Sequence, residues 1–148
     1  MTTIDAFKDV PVPLRSAMER RGFTGLTTVQ SAVIATESSD RNLRISSQTG
    51  SGKTVAIGLV LANALCSETA PAQPKKNPKK AARNRSRVLV ITPTRELAVQ
   101  VQDELYWLFE NLPELEVTVV TGGSDLRRER SVLQRSPTIV VGTPGRML

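Results

Sequence analysis

The sequence predicts an α/β protein with a largely parallel sheet. Short aliphatic runs, each about one strand long, alternate with longer segments of helical periodicity, and this order is typical of parallel sheets flanked by helices. Turns containing glycine, proline or hydroxyl residues follow the aliphatic runs. In such sheets, ligands bind beyond the carboxyl ends of the strands. The 148 residues are enough for one domain with a substantial core.

The amino-terminal region predicts two helices. Pro13 favours a helix to about Arg21, and Gly22 can end it in a left-handed conformation. Thr27 or Thr28 can cap a second helix from about Val29 to Glu37.

A glycine-bearing loop follows the first predicted strand, residues 43–46. The loop reads Ser47-Gln48-Thr49-Gly50-Ser51-Gly52-Lys53-Thr54, and an apolar helix to about Cys66 follows it. This strand, loop and helix order is that of a phosphate-binding loop, although Ser47 stands where the general pattern has glycine. Gly50 and Gly52 allow the tight turn, and the helix directs its positive end at a bound anion. We therefore expect Lys53 to bind the β- and γ-phosphates and the Thr54 hydroxyl to hold Mg²⁺.

The basic charge of the chain is concentrated in one segment. The net charge is +6, and residues 67–87 contain seven basic residues, one acidic residue and three prolines. Such a composition predicts a disordered surface insert, which either extends a nucleic-acid surface or is simply solvated.

The remainder of the chain predicts three more strands. Val88–Ile91 reads as a strand buried on both faces, and Thr94 can cap a helix to about Asn111. The aromatic residues of that helix, Tyr106, Trp107 and Phe109, are interpreted as packing residues rather than as a stacking platform for RNA. Residues 117–120 and 138–141 are the last two predicted strands. Between them, Ser124 or Asp125 can cap a charged helix to about Arg135.

Composition excludes several kinds of protein. There is no histidine, so no histidine-based catalytic or metal site exists. The single Cys66 forms no internal disulfide, which fits a reducing compartment, and the polar residues 1–7 do not read as a secretory signal. The longest apolar run, residues 55–65, is too short to span a membrane. We expect a cytoplasmic protein with no membrane partner.

Five stretches, in order, resemble the motifs of the DEAD-box family of ATP-dependent RNA helicases. Gly22 to Gln30, with Phe7 upstream, is similar to the family's adenine-reading motif, although Leu26 and Thr28 replace its usual prolines. The phosphate-binding loop is the second stretch. The others are Pro93-Thr94-Arg95-Glu96-Leu97-Ala98, Thr121-Gly122-Gly123 and Thr143-Pro144-Gly145-Arg146.

The resemblance implies a site for ATP and Mg²⁺ and another for RNA. Gln30 would read adenine through its amide and Phe7 would stack on the base, while residues 47–54 bind the phosphates. The RNA-binding residues would be Pro93, Thr94, Arg95, Gly122, Gly123, Thr143, Gly145 and Arg146, with sequence-independent contacts to sugar and phosphate. The implied fold is a RecA-like P-loop domain, incomplete at its carboxyl end, with residues 1–36 as the adenine-motif region and 37–148 as the partial ATP-binding domain.

The family's Asp-Glu-Ala-Asp motif does not occur in these 148 residues. A second RecA-like domain, which the resemblance also implies, is absent too. We therefore expect a helicase part that binds nucleotide and RNA but hydrolyses no ATP by itself. Two alternatives stay open: another P-loop enzyme, such as a GTPase or small-molecule kinase, and a non-catalytic RNA-binding module.

Overall fold

The computed structural model describes residues 7–36, 42–67, 86–123 and 125–147. They form an α/β fold with a parallel sheet and flanking helices, as predicted. In chain order the elements are α1 (Val12–Arg20), α2 (Thr28–Ala35), α3 (Lys53–Ser67), β1 (Val88–Ile91), α4 (Arg95–Leu108), β2 (Val117–Val120), α5 (Leu126–Gln134), β3 (Ile139–Gly142) and α6 (Pro144–Met147). No helix within these ranges combines the length and apolar character needed to cross a membrane.

The chain divides into two compact units. The first holds α1, α2 and α3 together with Leu108–Asn111, and the second holds the three strands, α5, α6 and α4 as far as Trp107. The domain boundary expected at residues 36 and 37 stays a prediction. Most of the expected insert at 67–87 lies outside the described residues, as do Ser124 and the end of the second predicted helix.

The first unit is built on α1 and on the packing of α2 against α3. Leu14, Ala17 and Met18 of α1 are buried, and Gly22 ends the helix region with a φ of +81°. At the far end of α1, Arg20 Nη2 donates to Glu110 Oε1 at 2.6 Å. Helix α2 contacts α3, and hydrogen bonds from Thr27 and Gln30 hold the start of α2 beside the loop that precedes α3.

The second unit is a three-stranded parallel sheet in the order β1-β3-β2. Gly142 of β3 lies opposite Ile91 of β1 on one side and Val120 of β2 on the other. The carboxyl ends of the three strands therefore lie side by side. Beyond them, the Thr92 N–H donates to the Gly142 carbonyl at 2.8 Å.

Two predictions about strands are wrong. Residues 43–46 form no strand, because a strand exists only through its ladder partners and none of the described residues pairs with this stretch. Val88–Ile91 is a strand but is not buried on both faces, because Leu89 is 56% and Ile91 58% exposed. Among the described strands, β3 is the central one and is buried throughout, whereas β1 lies at an edge of the sheet.

Of the three aromatic residues near the end of α4, two are buried, as expected of packing residues. Trp107 and Phe109 are buried, and the Trp107 indole donates to Glu104 Oε2 at 3.1 Å. Tyr106 is exposed.

Candidate functional site

The phosphate-binding loop has the backbone that its glycines were expected to allow. Gly50 and Gly52 have φ values of +79° and +83°, a region that residues with a side chain rarely adopt. The Ser51 N–H donates to the Gln48 carbonyl, and the hydroxyls of Ser47 and Ser51 share a hydrogen bond. Helix α3 begins at Lys53, so its amino terminus opens directly onto the loop.

Lys53 is hydrogen-bonded to the loop it belongs to. Its Nζ donates to the carbonyl of Ser47 at 2.7 Å and to that of Gln48 at 2.6 Å. The ammonium thus lies against the loop, and it has to exchange these two bonds in order to bind the phosphates of a nucleotide.

Thr54 fits the single-ligand role expected for Mg²⁺. It lies in the first turn of α3 and is half-buried. Over the described ranges, no group of three or more acidic, cysteine or histidine residues could hold a metal ion. Magnesium commonly keeps several waters and takes only one or two protein ligands when phosphates supply the others. The role of the Thr54 hydroxyl as a magnesium ligand stays a prediction.

Gln30 is fully buried, although a glutamine near the start of a helix is usually exposed. It forms a capping box with Thr27: its Oε1 accepts from the Thr27 N–H at 3.0 Å, and the Thr27 hydroxyl accepts from the Gln30 N–H. Its Nε2 donates to the Gly52 carbonyl at 3.3 Å. The Thr27 hydroxyl also donates to the Ser51 carbonyl at 2.9 Å. The start of α2 is therefore bonded directly to the phosphate-binding loop.

The role of Phe7 in stacking stays a prediction. Its side chain is almost fully buried, and its carbonyl accepts from Arg15 Nη2 at 2.9 Å. The adenine contact expected of Gln30 also stays a prediction, since both polar ends of its amide already have partners within the protein.

The three segments expected to bind RNA lie at neighbouring strand ends of the second unit. Thr94 caps α4, as predicted, by accepting from the Leu97 N–H at 3.2 Å. Pro93, Thr94 and Arg95 are exposed at the end of β1. Thr121, Gly122 and Gly123 follow β2, and Thr143, Gly145 and Arg146 follow β3.

Arg95 lies over the glycine pair. A Cβ atom added to Gly122 would lie 3.3 Å from Arg95 Nη2, and one added to Gly123 would lie 2.5 Å from Nη1. Gly123 also has a φ of +93°. The two glycines that were expected to bind RNA therefore lie against the guanidinium of Arg95, and two of the three segments are in contact.

Arg146 is paired with a residue that sequence reasoning missed. Its Nε donates to Glu129 Oε2 at 2.7 Å, and Glu129 Oε1 accepts from the Thr121 N–H at 3.1 Å. The only signal in the sequence was an acidic residue in the first turn of an otherwise arginine-rich helix. Glu129 and Arg146 are 17 positions apart in the sequence, so the pairing is hidden until the sheet brings their elements together.

Two sets of the predicted site residues are thus assembled. In the first unit, the start of α2 brings Gln30 against residues 47–54. In the second unit, the three segments expected to bind RNA lie side by side, because each is the turn that follows one of the parallel strands.

The chain belongs to the DEAD/DEAH box helicase family, whose sequence model matches residues 27–148. It is 36% identical over 135 residues to the DEAD-box ATP-dependent RNA helicase CshA of Bacillus subtilis strain 168, covering 91% of this chain and 24% of that protein. Among solved structures, it is similar to the RNA helicase Prp28 of Chaetomium thermophilum bound to ADP, with 28% identity and a TM-score of 0.74 over 95% of this chain and 32% of that one. It is also similar to Mss116p bound to ssRNA and AMP-PNP, with 25% identity and a TM-score of 0.74 over 94% of this chain and 27% of that one.

The chain spans about a quarter of the length of the curated relatives it matches, as with the 24% of CshA. These similarities confirm the family, the α/β fold and the resemblance on which the site residues were chosen. The roles assigned to individual site residues stay predictions.

Proposed function

We propose that this chain is the nucleotide- and RNA-binding part of an ATP-dependent RNA helicase that locally opens RNA duplexes. The observation that carries the proposal is the formed loop at residues 47–54, with both glycines at positive φ and α3 starting at Lys53. Family membership and the ADP and ssRNA in the names of similar structures support it.

The nucleotide site is proposed to act mainly through backbone N–H groups and Lys53. The loop and the amino terminus of α3 bind the phosphates, and Lys53 moves from the Ser47 and Gln48 carbonyls to the β- and γ-phosphates. The Thr54 hydroxyl would hold Mg²⁺, and the ion would supply positive charge against the phosphate oxygens. Gln30 and Phe7 bind the adenine.

RNA is proposed to bind along the carboxyl ends of β1, β2 and β3. Thr94 and Thr143 offer hydroxyls, Arg95 and Arg146 offer charge, and the turns offer backbone N–H groups. Contacts of this kind are made to phosphate and sugar, so binding is largely independent of sequence.

We propose that this chain alone hydrolyses no ATP, with or without RNA, and that it works in the cytoplasm. Phosphoryl transfer needs charges placed around the transferring group, and in the family these come from the Asp-Glu-Ala-Asp motif and a second RecA-like domain. Hydrolysis by the chain that Lys53→Ala abolishes would contradict this proposal.

The test of the nucleotide site is a calorimetric titration with Mg·ADP. The unchanged chain is expected to bind, and Lys53→Ala is expected to lose at least tenfold in affinity, because a charge-assisted contact to phosphate is worth about 1.5–3 kcal/mol. Lys8→Ala is the control, since Lys8 is an exposed lysine of the same unit.

Each outcome of the titration is informative. Equal affinity of Lys53→Ala and Lys8→Ala would contradict the assignment of Lys53. Binding of GDP in preference to ADP would favour another class of P-loop enzyme. No binding by the unchanged chain would contradict the nucleotide part of the proposal.

A further inference from the structure

Glu129 of α5 connects two of the segments expected to bind RNA. Its Oε1 accepts from the backbone N–H of Thr121, which opens the turn with Gly122 and Gly123. Its Oε2 accepts from Arg146 Nε, on the turn after β3. A single carboxylate thereby joins the ends of β2 and β3.

The pair is largely removed from water. The side chain of Glu129 is 12% exposed and that of Arg146 is 19% exposed. Hydrogen bonds between charged groups are short and strong in such surroundings, and the 2.7 Å distance between Nε and Oε2 is of this kind. A carboxylate bound at Nε also restricts rotation of the planar guanidinium, because the donors of arginine form a rigid fork.

The same carboxylate restrains the backbone of the glycine turn. A turn with Gly122 and Gly123 has a large conformational freedom before it is ordered. The bond from Thr121 N–H to Glu129 holds its first residue, while Arg95 covers its two glycines. Glu129 therefore contacts both Arg146 and the first residue of the turn.

We propose that Glu129 is a positioning residue for RNA binding, which holds Arg146 and the Gly122–Gly123 turn in the arrangement that receives the phosphates of one RNA strand. The inference rests on the proposed function, because it takes Arg146 and the turn as RNA contacts. Glu129 itself is acidic and touches no phosphate.

If only net charge mattered, removing the negative charge of Glu129 would strengthen RNA binding, whereas a positioning role predicts that binding weakens. RNA is polyanionic, and taking one negative charge from the chain strengthens its long-range attraction to RNA. If Glu129 only contributed charge, Glu129→Gln would bind RNA as tightly as before or more tightly. A positioning role predicts weaker binding despite the more positive protein.

The experiment measures fluorescence anisotropy of a labelled oligouridine with the full 148-residue chain and its variants at low salt. Glu129→Gln is expected to weaken binding about fivefold, within the range of coupling energies for residues of one ion-pair network. Glu116→Gln is the matched control, since it removes the same charge from an exposed residue just before β2, at the end of the strand opposite Thr121. It is expected to bind unchanged or slightly more tightly.

A double-mutant cycle separates positioning from a general loss of stability. Glu129→Gln is expected to weaken binding less in the Arg146→Gln background than in the unchanged chain, because the part of its effect that passes through Arg146 is already lost and only the part that passes through the turn remains. Losses that multiply in the double variant would overturn the inference. Circular dichroism of each variant reports whether the fold is kept.

The outcomes distinguish this inference from the proposed function. Absence of RNA binding by the unchanged chain contradicts the proposed function. Binding by the unchanged chain, with Glu129→Gln equal to Glu116→Gln, overturns the positioning role alone. If Glu129→Gln does not fold, Arg146→Lys decides: it keeps the charge without the Nε donor, so binding as tight as that of the unchanged chain overturns the inference.

Discussion

At the scale of the residue, similar glycines have different surroundings. Gly22, Gly50 and Gly52 all have φ values near +80°. A Cβ atom would meet nothing within 4 Å at Gly22 or Gly50, but at Gly52 it would collide with the amide nitrogen of Gln30. Gly52 is therefore required both for its backbone angle and for the contact between α2 and the loop.

Gly52→Ala is expected to destabilise the chain more than Gly22→Ala. Both changes carry the cost of a left-handed residue, about 1–2 kcal/mol. Gly52→Ala also displaces Gln30 from the Gly52 carbonyl and leaves a buried amide unsatisfied, which costs roughly a further 1–3 kcal/mol. Thermal unfolding followed by circular dichroism compares the two, and equal unfolding temperatures would show that the collision with Gln30 has no consequence.

At the scale of the element, the amino terminus of α2 serves both the helix and the phosphate-binding loop. Thr27 and Gln30 satisfy each other's backbone N–H groups, as capping boxes do. The same two side chains donate outward to the Ser51 and Gly52 carbonyls. The helix start and the loop thus stabilise each other, so a change in the cap is expected to reach the nucleotide site.

Thr27→Ala is expected to lower the free energy of unfolding by about 1 kcal/mol, the usual value of a lost cap. It is also expected to weaken Mg·ADP binding, because the Ser51 carbonyl loses its hydrogen bond from the Thr27 hydroxyl. Thr27→Ser keeps the hydroxyl and should retain both properties. Thr28→Ala, a change of the same size at the next, exposed residue, is the control. If Thr27→Ser behaves like Thr27→Ala, the hydroxyl is not the cause.

At the scale of the whole molecule, charge and site lie in different parts of the sequence. The net charge of +6 equals the excess of basic residues within 67–87, while the remainder is balanced. The segments proposed to bind RNA are elsewhere, at the ends of the strands. The proposed RNA site thus depends on particular donors more than on total charge.

Deletion of residues 71–85 is expected to leave RNA binding measurable, and still sensitive to Arg146→Gln. The deletion removes six basic residues, so binding at low salt weakens and the dependence of affinity on salt becomes shallower. Mg·ADP affinity should not change. Anisotropy titrations at several salt concentrations test this, and complete loss of RNA binding with unchanged nucleotide binding would instead support an RNA-binding module carried by this segment.

The sequence by itself determined those features whose causes are local. Gly50, Gly52 and Lys53 predicted a tight glycine turn followed directly by a helix, and both are formed, because backbone freedom and a helix start are properties of adjacent residues. Alternation of aliphatic runs with helical periodicity specified the α/β fold. Thr27, Thr94 and Asp125 were identified as candidate caps for the same reason, and each accepts a backbone hydrogen bond at the start of its helix.

Only the tertiary structure decided the features that depend on distant partners. A strand needs neighbouring strands, so the sequence could not show that residues 43–46 form no strand. For the same reason it could not show that β1 lies at an edge of the sheet and β3 at its centre. Burial of Gln30 follows from α2 packing on α3. Glu129 reaches both Thr121 and Arg146 because parallel pairing places the ends of β2 and β3 side by side. The spacing of these residues along the sequence does not predict that arrangement.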